Sequence, residues 1–192
     1  MPRKTTGAID MSDGVSDLAG QARRLGLAGD FAAGHALIDQ AERLAGDDPT
    51  ARALCAIERG RLYNSAGERE KARPLFEEAW QLARQAGAHA LAVDAAHMMA
   101  IVGTLGDAVQ WTEAALAYID DHPQAAFWRA ALLNNLGWSY FDAGRFADAL
   151  AIRTGGRTAP LGWPETRAAY RALRRDPNVA RTGSPGRSPA AC

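Results

Sequence analysis

Apolar and polar positions recur along most of this chain with a helical rhythm, broken at near-regular intervals by glycine. Leu18, Ala22 and Leu25 share one helical face; so do Ile38 and Ala41, then Leu62, then Phe76 and Ala79. The rhythm predicts four helix pairs: 15–28 with 31–45, 50–66 with 69–86, 89–103 with 107–121, and 124–143 with 146–153. Asp47–Asp48–Pro49–Thr50 and Asp120–Asp121–His122–Pro123 read as turn-and-cap segments between pairs. Pro74 is placed in the first turn or so of its helix, where a missing N–H costs little.

The pairs repeat one another. One copy runs Gly60, Leu62–Tyr63, Gly67, Ala72, Phe76 and Ala79; a second runs Leu133, Leu136–Gly137, Tyr140, Gly144 and Ala149. A third has Ala96, Met99, Gly103, Ala108 and Ala115, and the earliest has Ala22, Leu25, Gly29, Gly34 and Ile38. Gly29, Gly67, Gly103 and Gly144 set periods of 38, 36 and 41 residues. A small residue early in each first helix (Ala22, Gly60, Ala96, Gly137) allows a partner helix to approach closely. A larger residue three places on (Leu25, Tyr63, Met99, Tyr140) fills the space beside it. The glycine four residues later is expected to end the helix in a left-handed cap. No pair can bury its apolar stripe alone, so neighbouring pairs must stack.

These motifs resemble the tetratricopeptide-repeat (TPR) family, in its bacterial form. Leu136–Gly137–Trp138–Ser139–Tyr140 is similar to the L-G-x2-Y part of the family pattern, and Ala72–Arg73–Pro74–Leu75–Phe76 to its A-x3-F part. The resemblance covers about residues 15–152. It departs from the family in its periods, all longer than about 34 residues, and in Thr112, which stands where a large apolar residue is usual. It implies an all-α fold, a TPR-like right-handed α-solenoid of antiparallel helix pairs. Three segments follow: a flexible N-terminus at 1–14, about three and a half repeats at 15–153, and a basic, largely disordered tail at 154–192.

The resemblance also implies where function resides. First helices of such pairs line a concave groove. With Leu133, Leu136, Gly137 and Tyr140 used for packing, Asn134, Asn135, Trp138 and Phe141 are left to face it. An asparagine amide offers donor and acceptor to an extended peptide backbone, and an indole offers apolar area with one N–H. The same face in earlier repeats holds Glu58, Arg61, Asn64, Asp94 and His97. The competing reading gives the asparagines a helix-packing or capping role.

Composition narrows the function. Hydrophobic residues are 47% and charged residues 23%, a globular balance. Residues 1–152 carry 14 basic and 20 acidic side chains, net −6, whereas 153–192 carry 8 and 2, net +6. The tail admits three explanations: an arginine-rich arm for nucleic acid with Trp163 and Tyr170 as stacking groups, an inert end, or out-of-frame coding sequence after Ile152. The break after Ile152 also leaves self-association through an incomplete last repeat as an expectation. No apolar run reaches the ~20 residues of a membrane helix, no secretory leader is evident, and with two cysteines the reading is a cytoplasmic protein.

Signs of chemistry are sparse. No GxSxG, CxxC or HExxH occurs, and Gly103–Thr104–Leu105–Gly106 lacks the Gly-Lys-Ser/Thr of a phosphate loop. Cys55 sits where a core residue belongs. Asp94 and His97, three apart, could share a face with Glu58 as an acid–His–acid cluster for a metal or a base; the alternative is a polar face with scattered charges. His35, His89 and His122 have no partner at ligand spacing. Arg23–Arg24 and Glu68–Arg69–Glu70–Lys71 read as solvated helix faces. The expectation is a protein- or peptide-binding scaffold with no catalysis, no metal and no cofactor. The alternatives are a regulatory or sensor domain working with a separate effector (a transcription factor, kinase or secretion component) and, behind it, nucleic-acid binding by the tail.

Overall fold

The computed structural model describes residues 11–155, with side chains at 13–153. The expected tail and residues 1–10 lie outside the described residues. Among the described residues there are eight α-helices, one 3-10 helix and no strand. They are α1 (Met11–Leu27), α2 (Phe31–Ala45), α3 (Pro49–Ser65), α4 (Arg69–Gln85), α5 (His89–Val102), α6 (Leu105–Asp121), the 3-10 helix Pro123–Trp128, α7 (Arg129–Asp142) and α8 (Phe146–Gly155). The chain forms two compact units, one ending at Trp128 and one starting at Arg129. The architecture is the all-α, TPR-like arrangement of helix pairs.

In the first unit each helix packs on the next, and the first helices also meet one another, α1 on α3 and α3 on α5. The first helices are therefore covered on most of their surface: α5 buries Ala92, Val93, Asp94, Ala95, Ala96, Met98, Met99, Ala100 and Val102. The second helices are covered on one side only. α4 buries Ala72, Phe76, Ala79, Trp80 and Ala83 and exposes Arg73, Glu77 and Glu78.

Close packing depends on the small residues. A methyl added to Gly60 would stand 2.5 Å from Phe76 Cε1, so the Phe76 ring on α4 rests directly on the α3 backbone. Ala22 and Ala96 occupy the matching places in α1 and α5 and are fully buried. Thr112 is also buried, at 1% exposure, so the polar substitute still fills its core position.

Local chemistry sets the helix ends. Asp30 caps α2, accepting from the Ala33 amide at 3.1 Å, and Asp48 caps α3 with Pro49 in its first turn. Gly29, Gly67 and Gly144 have the left-handed φ expected of them (84°, 83° and 72°). Gly103 does not: its φ is −89°, in extended backbone. It is followed by a capping box in which Thr104 Oγ1 accepts from the Asp107 amide and Asp107 Oδ2 accepts from the Thr104 amide, at 3.2 and 2.8 Å. A methyl on Gly103 would lie 2.3 Å from Asp107 Cβ, so glycine is needed there for space, not for handedness.

Three local expectations need correction. Pro74 is the sixth residue of α4, not part of its first turn; the amide it lacks would have bonded to the exposed Glu70 carbonyl, which water can serve. The seventh helix does not start at 124: Pro123–Trp128 forms a 3-10 turn first, and α7 begins at Arg129. In α7 Leu136 and Gly137 are buried as expected, but Leu132 is buried in place of Leu133, which is half-buried like Tyr140.

Candidate functional site

The first helices of the first unit bring their polar residues together on one face. Arg23 of α1 reaches Glu58 of α3 with two parallel bonds, Nε to Oε2 at 3.0 Å and Nη2 to Oε1 at 2.8 Å. Arg61, one turn on from Glu58, donates to Glu58 Oε1 at 2.5 Å and to Asp94 Oδ1 of α5 at 2.5 Å. The carboxylates lie deep, Glu58 at 4% and Asp94 at 8% exposure, while the Arg23 side chain remains 46% exposed. Two acids thus sit beneath two arginines in a line across three helices. A forked guanidinium suits this arrangement, since it can bond two carboxylates at once and stays charged when partly buried.

Of the residues expected on this face, Glu58, Arg61 and Asp94 are joined by that line. Asn64 and His97 are half-buried on the same two helices. His97 packs against Trp128, with ring centroids 5.3 Å apart. Burial pushes the His97 imidazole below its ordinary value, against the pull of the nearby Asp94 carboxylate and with that of Arg61. Arg23, expected to belong to a solvated surface, is the residue the sequence reading missed. Its signal was present: Arg23 and Arg61 are 38 residues apart, the same interval as Gly29 and Gly67.

In the second unit α7 and α8 form a hairpin. Asn134, Asn135, Trp138 and Phe141 are all half-buried on α7. Asn134 Nδ2 donates to Asn135 Oδ1 at 3.4 Å. The Ser139 hydroxyl donates to the Asn135 carbonyl at 3.0 Å. Trp138 meets Phe141 edge-on at 5.7 Å, and Phe141 meets Phe146 of α8 at 5.2 Å. These residues form an aromatic row closing the hairpin, with the amides beside it.

Elsewhere the side chains are engaged in structure. A cavity of 310 Å³ between α2, α3 and α4 is lined by Glu42, Arg52, Ala56, Leu75 and Glu78. Its charges pair with one another and with Arg59: Arg52 meets Glu78 at 3.5 Å, and Arg59 meets Glu42 at 2.9 Å and Asp39 at 2.6 Å. Burial pushes the Cys55 thiol up to about 11, which suppresses the thiolate. His89, at the start of α5, and His122, at the end of α6, are stacked with centroids 4.1 Å apart. Among the described residues no three His, Cys, Asp or Glu side chains group to hold a metal, and no helix is long and apolar enough to cross a membrane.

A family model for the tetratricopeptide repeat matches residues 52–86 and 129–152. The first match spans α3 and α4 and the second α7 and α8, so each covers one helix pair. No curated protein and no solved structure matches the chain.

Proposed function

From the premise that this chain is a tetratricopeptide-repeat protein, we propose that it is a scaffold that holds a protein or peptide ligand on the exposed face of its first helices, without catalysis, in the cytoplasm. Repeats of this family generally mediate protein–protein interaction and are not catalytic. One observation carries the finer reading: polar side chains from α1, α3 and α5 meet on a single face, instead of being scattered around the helices. Within the first unit Arg23, Arg61, Asn64 and His97 are the ligand-facing candidates. Glu58 and Asp94 lie beneath the arginines and act by holding them in place. Within the second unit the candidates are Asn134, Asn135, Trp138 and Phe141. Half-burial suits all of these, because a side chain already held in one rotamer loses little entropy on binding.

The test is capture of partners from the source cell on three immobilised proteins. These are the full chain, its Asn134→Ala/Asn135→Ala/Trp138→Ala variant, and its Asn64→Ala/His97→Ala variant, each shown by circular dichroism to keep its helix content. A partner retained by the wild type and lost from either variant supports the assignment to that unit. Equal recovery of every partner by all three overturns it.

A further inference from the structure

The stacked histidines take no part in the ligand face proposed above. His89 is the first residue of α5 and His122 the residue that ends α6. Their rings overlap nearly parallel, 4.1 Å apart and inclined by 21°. His89 Nδ1 lies 2.7 Å from the Tyr118 hydroxyl, and the Tyr118 ring packs on His122 at 4.2 Å. Burial raises the Tyr118 phenol, so it stays protonated and can donate this bond to a neutral imidazole. Beyond Tyr118, from α4, lies the Arg84 guanidinium, 5.7 Å from the ring centre, with Trp80 beside it. Ala88, which precedes α5, supplies no side-chain cap to its first turn.

We propose that His89, His122 and Tyr118 form an acid-released latch holding the first turn of α5 to the end of α6. When neither ring, or only one, is charged, the stack and the tyrosine bond are compatible. When both are charged, two cations face each other at van der Waals distance, and the bond to Tyr118 must reverse, with His89 Nδ1–H donating to the phenol oxygen. The surroundings of the two rings differ in sign. His89 stands at the positive end of α5, with Arg84 over the ring of its partner Tyr118. His122 stands at the negative end of α6, just after Asp120 and Asp121. The 3-10 helix Pro123–Trp128, packed on α5 and α6, brings no titratable side chain. Protonation of both rings therefore releases His89 and frays α5 from its start.

Amide hydrogen exchange on the full chain tests this at about pH 7.5 and about pH 5, corrected for intrinsic rates. The amides to follow are Ala92, which bonds to the Ala88 carbonyl at 3.0 Å, and Val93, with the interior of α3 as internal reference. In the wild type their protection should fall on acidification by about tenfold or more relative to α3. His122→Phe keeps a ring in the stack but takes no proton, and His89→Phe does the same from the other side. In either variant the relative protection should no longer depend on pH. No fall in the wild type, or the same fall in both phenylalanine variants, overturns the latch.

Discussion

Arg61 donates to Asp94 the bond that Arg23, one repeat earlier, donates to Glu58. The arginines are related by the repeat period, and so are the carboxylates, so the pairing is itself a repeated element that ties each first helix to the next. Glu58 is its centre, accepting from both arginines while almost fully buried. Glu58→Ala removes the acceptor of both arginines and leaves Arg61 with Asp94 alone, whereas losing half-exposed Arg23 leaves Glu58 paired with Arg61. Glu58→Ala should therefore cost about 1.5–3 kcal/mol, and Arg23→Ala about 1 kcal/mol, both read from urea unfolding. A Glu58→Ala cost no greater than that of Arg23→Ala would show that the line contributes nothing special.

Gly60 and Phe76 give a second prediction. Gly60→Ala sets a methyl 2.5 Å from the Phe76 ring and should destabilise by about 1–3 kcal/mol, although alanine is the better helix former. Phe76→Leu in the same chain should restore part of the loss, since the clash is with that ring. Additive losses in the double variant would refute the contact as the cause.

Gly60 also shows what could be read without coordinates. Helix positions, the small residues at the crossings, the caps at Gly29, Gly67 and Gly144 and the Asp48 cap follow from local periodicity and turn chemistry, which act within a few residues. Glu58 and Asp94 were legible as members of one face. Their consumption by arginines was less so, because the partners lie 35 and 33 residues away on neighbouring helices. The reading within one helix set Asp94 beside His97; tertiary packing brought Arg61 to it. The His89–His122 stack was hidden for the same reason: it joins the start of one helix to the end of the next. Gly103 misled because a cramped backbone and a left-handed one both call for glycine, and only the dihedral separates them.

Cys55 offers a chemical check. Its thiol is buried among Val15, Ala19, Ile38 and Leu62 and pushed up to about 11, so the thiolate is scarce at neutral pH. In a Cys192→Ser background, an aromatic disulfide reagent should leave Cys55 unmodified for as long as the chain stays folded, and should titrate one thiol in denaturant. Fast modification of the folded chain would mean that the α1–α2–α3 core opens far more readily than its packing implies.

The last prediction concerns acid. Burial holds both His35 and His97 below the ordinary imidazole value; Arg59 adds to this for His35, and Arg61 adds while Asp94 opposes for His97. The unfolded chain takes up these protons near ~6.5, and the folded chain resists them. The contribution to stability is therefore complete above that pH and is lost as pH falls below it, with a slope of at most ~1.4 kcal/mol per pH unit for each histidine. Carboxylates held low by their partners, Asp39 by Arg59 and Asp107 by Arg73, add their own loss only below the usual carboxylate range, near ~4, so the two effects separate. The urea midpoint should drop between about pH 7.5 and about pH 5.5, and His97→Gln should flatten that drop, because glutamine takes no proton in this range. His35→Gln should flatten it less, since His35 is the less deeply buried of the two. A midpoint that holds steady on acidification, or a His97→Gln chain with the wild-type slope, would remove His97 as the cause.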